Sequence, residues 1–164
     1  MQVKKSLFFE TKIEDKFFVI KSKNESDKTK IFKKDIDLSF IQFHFIIEGK
    51  AIFSFNNGAY KMNVPKGKYI VLYNPKKNLP VNAEISAKSN IITVLISIKK
   101  FHKLFSEDSN NIQFLKDENI NQKYYYENTI SNKIYLVLNE LKRLDLNSST
   151  KNLFVRAKTY ELFS

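Results

Sequence analysis

The chain has 164 residues, 43% of them hydrophobic, a formal charge of +11, two histidines, and neither cysteine nor tryptophan. That length supports one domain with its own core, and the lack of cysteine excludes disulfides, thiolate metal sites and thiol nucleophiles. No apolar run reaches the roughly 20 residues that span a bilayer, and the N-terminal MQVKKSLFFETKIEDK lacks the features of a secretion signal, so a cytoplasmic protein without membrane attachment is expected.

The positive charge raises the question of nucleic-acid binding, since clustered lysine and arginine neutralise phosphates. Here only Arg143 and Arg156 supply the guanidinium fork that reads phosphates and guanine, and the lysines are scattered. Direct nucleic-acid binding by these residues is not expected.

In chain order, Leu7-Phe8-Phe9 and Phe17-Phe18-Val19-Ile20 are short strand candidates, and the polar decapeptide Lys21 to Lys30 reads as a solvated loop. From Ile41 to Asn74, apolar and aromatic runs are separated by Gly49, Gly58 and Gly67, the three glycines of the chain. Turns at that regular spacing predict a β meander within a small barrel or sandwich. Asn74 to Pro80 holds two of the three prolines and predicts a rigid loop at a barrel rim. Val81 to Ile85 is a further strand, and the continuous apolarity of Ile91 to Ile98 predicts a strand buried on both faces.

Beyond residue 98 the apolar period lengthens to that of a helix. Phe101, Leu104 and Phe105 mark an amphipathic start, a short helix is expected near Ile112 to Leu115, and Tyr124-Tyr125-Tyr126 reads as an anchor for a loop. Over Thr129 to Leu144, Ile130, Ile134, Val137, Leu138 and Leu141 form one stripe, expected to pack on the barrel or on a second subunit. A last helix is expected after a cap at Ser149 or Thr150, with Leu153, Phe154, Ala157, Tyr160 and Leu162 as its apolar positions. It ends without a stop signal, so the natural protein is expected to continue past Ser164.

Gly58, Pro65, Gly67 and Asn74 stand as Gly-x6-Pro-x-Gly-x6-Asn, which resembles the second motif of the cupins. In that family a metal-binding histidine follows the second glycine by three residues. Here that position is Ile70, the position of the first-motif carboxylate is Gln42, and no histidine pair precedes it. The resemblance therefore implies a cupin-like scaffold without the family's metal site. With Gln-Phe-His-Phe, Leu-Tyr-Asn-Pro and the helices that follow, residues 35 to 164 resemble the N-terminal sensor domain of AraC-type transcriptional regulators, closest to the branch of the siderophore-responsive regulator PchR.

The expected fold is mainly β with C-terminal α: a cupin-like double-stranded β-helix barrel over residues 1–98, then two or three helices over 99–164. By the resemblance, the barrel senses ligand, the helical extension dimerises, and a helix-turn-helix DNA-binding domain follows outside this chain. Strand alternation puts Gln42, His44, Ile46 and Glu48 on one inward face, joined by Ile70, Leu72 and Asn74. With Phe53 and Phe55 available to stack on an aromatic ligand, the expected ligand site is Gln42, His44, Phe53, Phe55, Ile70, Leu72 and Asn74. Ile130, Ile134, Val137, Leu138 and Leu141 are the expected dimerisation residues.

No catalytic residue, metal or cofactor is expected: two histidines without cysteine make a poor zinc site, and no nucleophile elbow or phosphate-binding loop is present. His44 is read as a hydrogen-bonded core histidine in preference to a base. The expected partners are a small-molecule effector, such as a siderophore or aromatic compound, and a second copy of the chain. DNA is met only through the missing domain. The alternatives are a metal-dependent cupin enzyme and a stand-alone small-molecule binding protein.

Overall fold

The computed structural model describes residues 8–104, 124–143 and 151–163. Ten strands are described: β1 Phe8–Glu14, β2 Phe17–Asn24, β3 Lys30–Lys34, β4 Phe40–Glu48, β5 Lys50–Phe55, β6 Tyr60–Pro65, β7 Lys68–Tyr73, β8 Val81–Ile85, β9 Ser89–Ser97 and β10 Tyr124–Thr129. The helices are α1 Ile98–Leu104, α2 Asn132–Arg143 and α3 Lys151–Leu162. The short helix expected near Ile112 to Leu115 lies outside the described residues.

All strand pairs are antiparallel, in a six-stranded sheet ordered β1-β2-β9-β4-β7-β10 and a four-stranded sheet ordered β3-β8-β5-β6. From β2 to β9 the chain passes repeatedly from one sheet to the other, which is the winding expected of a cupin-like double-stranded β-helix. The mainly-β class with C-terminal helices is as the sequence predicts. A simple meander is not what forms. Gly58 does turn the hairpin β5-β6, but Gly49 and Gly67 stand at corners where the chain changes sheets, so β4 pairs with β7 and not with β5. Strands packed in two sheets need such corners to close a core between them.

Two apolar cores lie on either side of the six-stranded sheet. Between the sheets, Ile20, Phe32, Ile46, Phe53, Ile70, Leu72, Ile85 and Ile91 are buried together. On the outer face, Phe17, Ile41, Phe43, Phe45, Val94 and Ile96 meet Phe101 of α1, Val137, Leu138 and Leu141 of α2, and Val155 and Leu162 of α3. β9 runs between β2 and β4, so its even and odd residues serve opposite cores. This is why Ile91 to Ile98 is apolar throughout.

Two segments depart from expectation. The polar stretch from Lys21 does not loop at once: β2 continues to Asn24, whose buried amide donates to the carbonyls of Lys28, Ile85 and Ser86 at 2.8, 3.1 and 3.0 Å. One side chain thus satisfies the backbone of a tight connection, which composition alone does not reveal. The tyrosine run is a strand and not a loop anchor. β10 pairs along β7, and Tyr124 and Tyr126 stack at 5.9 Å while Tyr126 meets Tyr69 edge-on at 6.2 Å. Aromatic neighbours of this kind stabilise adjacent strands.

Candidate functional site

β4 lies between the two cores and carries Gln42 and His44, two of the residues singled out by sequence. Gln42 and His44 face the barrel interior, paired with Leu95 and Thr93 of β9 on one side and with Leu72 and Ile70 of β7 on the other. Phe53 of the opposing sheet lies beside His44, ring centroids 4.7 Å apart. Phe55 closes the same apolar cluster at the end of β5, 6.4 Å from the Tyr60 ring. Six of the seven expected ligand-site residues therefore converge. Asn74 does not join them: it is half-buried after β7, and its side-chain oxygen accepts the Lys76 amide at 3.0 Å, closing an Asx turn.

The interior polar groups form one directed chain. The Leu79 carbonyl can only accept, so the amide nitrogen of Gln42 donates to it at 2.6 Å. Gln42 Oε1 then accepts from His44 Nε2 at 2.9 Å, which leaves His44 Nδ1 to accept from the Thr93 hydroxyl at 2.8 Å. This fixes His44 as the neutral Nε2–H tautomer, assigned through its partners. The bonds also explain how the loop after Asn74 closes the rim, because Leu79 is itself buried in the interior cluster. The one sequence signal for Thr93 is that it interrupts an otherwise apolar stretch from Ile91 to Ile96.

Burial without a charged partner pushes the His44 pKa down from 6.5 to about 3. In the unfolded chain the imidazole takes up a proton near pH 6.5, whereas in the fold it stays neutral to about pH 3. The stability this group allows is fully present above pH 6.5 and is lost as pH falls from there toward 3. Between pH 7 and pH 5 the loss is expected to be about 2 kcal/mol. Urea titrations across that range check it, with His44→Gln expected to flatten the slope whatever its own stability.

Glu48 does not face inward with His44. β4 bulges between Ile46 and Glu48, so that Ile46 remains opposite Ile91 while Glu48 comes opposite Asn90. The extra residue reverses the alternation. The Glu48 carboxylate accepts from Lys142 Nζ at 2.8 Å and from the Asn90 amide at 3.0 Å, and these bonds hold its pKa below the usual carboxylate range. Beside it, Lys23, Asn24, Glu25, Lys88 and Asn90 complete the lining of a surface cleft of about 420 Å³. Ion pairs from Lys23 to Glu25 at 2.8 Å and from Lys88 to Asp27 at 3.4 Å occupy its charges.

The expected helix from Thr129 starts later, at Asn132, because Thr129 ends β10 and Ser131 caps α2 by accepting from the Ile134 amide at 3.2 Å. Ile130, just before the helix, and Val137, Leu138 and Leu141 on it are buried against the outer face of the six-stranded sheet, and Ile134 is half-buried there. Of the two packing partners the stripe allowed, the barrel of the same chain takes these side chains. Leu136, Leu153 and Phe154 are exposed instead, at 68%, 74% and 41%. Among the described residues no three His, Cys, Asp or Glu side chains come together, and no helix is long and apolar enough to cross a membrane.

No protein-family model matches the chain, and no curated protein matches it. Among solved structures it is similar to ToxT from Vibrio cholerae, with a TM-score of 0.51 and 15% identity over 90% of this chain. The chain spans 55% of that ToxT chain. A ToxT structure with unsaturated fatty acid bound aligns at 0.48 and 16% identity, covering 90% of this chain and 52% of that one. An RmlC-like cupin from Desulfovibrio desulfuricans aligns at 0.42 and 10% identity, covering 54% and 79%. Of these three, the 0.51 superposition establishes a common fold, and identity this low speaks to fold alone.

Proposed function

We propose that this chain is the effector-binding part of an AraC-type transcriptional regulator, in which the barrel takes a small organic molecule and the helices pass its effect to a DNA-binding domain outside the chain. The observation that carries this reading is the two-sided construction of β4. His44 and Ile46 belong to the barrel interior, while Phe43, Phe45 and Ile47 belong to the core under the helices. At its bulge, α2 is attached by side chains: Tyr135 donates its hydroxyl to the Ile47 carbonyl at 2.6 Å, and Lys142 binds Glu48. A shift of β4 under a ligand therefore reaches α2 directly. An effector acts only through its difference in affinity between two arrangements, typically about 1 to 3 kcal/mol.

The likeness in fold to ToxT supports the reading, as does the sequence resemblance to the PchR branch. The apolar lining around Phe53 and Phe55 fits an aromatic effector better than a charged siderophore complex. We propose no catalysis: a neutral histidine with both nitrogens engaged is a poor base at neutral pH. Dimerisation belongs to this proposal through the exposed Leu136, Leu153 and Phe154.

The test is the reading frame after Ser164. Two helix-turn-helix units there are expected, and a stop codon within a few residues would overturn the regulator. Within this chain, Tyr135→Phe is expected to cost about 1 kcal/mol and to speed hydrogen exchange in α2 more than in β9. Equal changes in both elements would argue against a specific attachment.

A further inference from the structure

We propose that Ser22 is the polar anchor of the barrel's ligand site, and that the ligand is an uncharged, largely apolar molecule bearing one hydroxyl or carbonyl group. This rests on the ligand-binding reading above and adds the chemistry of what is bound. Alternation along β2 puts Ser22 on the same face as Ile20, which belongs to the interior cluster, and Ser22 stands opposite Ile91 of that cluster on β9. Ser22 is 2% exposed, and its hydroxyl has no hydrogen-bond partner. A buried hydroxyl left unpaired is costly, and such groups in native proteins call for a cause.

The neighbouring polar groups are already engaged. Asn24, two residues along the same face, donates to three carbonyls and accepts from the Ser26 amide and hydroxyl at 3.0 and 2.7 Å. Gln42, His44 and Thr93 satisfy one another and Leu79. Among the described residues, Ser22 is thus the interior side chain whose polar atom makes no hydrogen bond at all. A serine hydroxyl can give one hydrogen bond and accept others, which matches an alcohol, phenol or ketone. A carboxylate or phosphate would need a cation or several N–H donors beside it. Among the described residues, no Asp, Glu, Lys or Arg side chain is buried, and the buried polar groups of the interior include Ser22, Asn24, Gln42, Thr93 and the neutral His44.

The test uses two probes of similar shape and different charge, 4-ethylphenol and 4-ethylbenzoate, with wild type, Ser22→Ala and Ser22→Cys. Melting curves report binding, and the isoleucine methyl signals of Ile20 and Ile91 report its place. The phenol is expected to raise the melting temperature and shift those methyls. Ser22→Ala should weaken it roughly five-fold, as loss of one hydrogen bond predicts, and yet melt no lower than wild type without ligand. Ser22→Cys, a weaker donor of similar size, should also bind less tightly and serves if the alanine variant fails to fold.

A marked drop in the ligand-free melting temperature of both variants would show that Ser22 has a structural partner and would overturn the proposal. So would unchanged affinity for the phenol, the result for a serine that merely holds an internal water. Benzoate binding as tightly as the phenol, with the same methyls shifted, would remove the neutral-ligand inference while leaving the barrel as a binding site. Methyls that respond to neither probe would count against both.

Discussion

Gly49→Ala is expected to destabilise the protein by about 3 kcal/mol, read as a fall in the urea midpoint with unchanged slope. Gly49 has φ +76°, a left-handed conformation that costs an L-residue about 1 to 2 kcal/mol. The new methyl would also stand 1.9 Å from Ser89 Oγ, 2.7 Å from Ser89 Cβ and 2.9 Å from Ser89 Cα. Rotating the serine hydroxyl relieves the first contact and not the other two, so backbone must move at the corner where β4 leaves its sheet. By comparison, a Cβ added at Gly58, also at positive φ, meets nothing within 4 Å. Gly58→Ala should therefore cost only the conformational part, about 1 kcal/mol. Equal losses at the two sites would show that the close approach of Ser89 is not what matters.

Leu138→Ala is expected to cost about 3 to 4 kcal/mol, the usual range for emptying a fully buried leucine site. Leu138 is 0% exposed and packs in the core between the helices and the outer face of the six-stranded sheet. The neighbouring Leu136, on the same helix but 68% exposed, should tolerate alanine with a change under about 0.5 kcal/mol. In hydrogen exchange, the Leu138 variant should lose protection first in α2 and α3, with β9 protected longest because it is paired on both edges. If the whole barrel opens together with α2, the helices are integral to the barrel and no separable relay exists. The Leu136 position provides a second comparison: its replacement by aspartate should leave the monomer intact and weaken any dimer formed through the exposed helical surface.

Much of the site was legible because strand side chains alternate. The period of two puts Gln42 with His44, and Ile70 with Leu72, on one face of each strand, and the fold pairs Gln42 with Leu72 and His44 with Ile70. Counting failed at Glu48, where one extra residue in β4 turns the carboxylate toward Lys142. It also failed at Asn74, whose amide was taken up by its own turn. The strand at Tyr124 to Thr129 had no local alternation to announce it, since its reason for forming is β7, more than fifty residues earlier in the chain.

By itself the sequence determined the order and kind of most elements, the inward face of β4 and β7, and the apolar stripe of α2, because these follow from periods of two and 3.6 set by backbone geometry. Tertiary structure alone decided that Gly49 and Gly67 are corners, which of its two possible partners the α2 stripe meets, and that the partners of His44 are Gln42 and Thr93 while the Ser22 hydroxyl has none. Those outcomes depend on groups distant along the chain: Gln42 bonds across 37 residues and His44 across 49. A hydrogen bond acts over about 3 Å in space whatever the separation in sequence, so no local pattern encodes which buried polar group will find its partner.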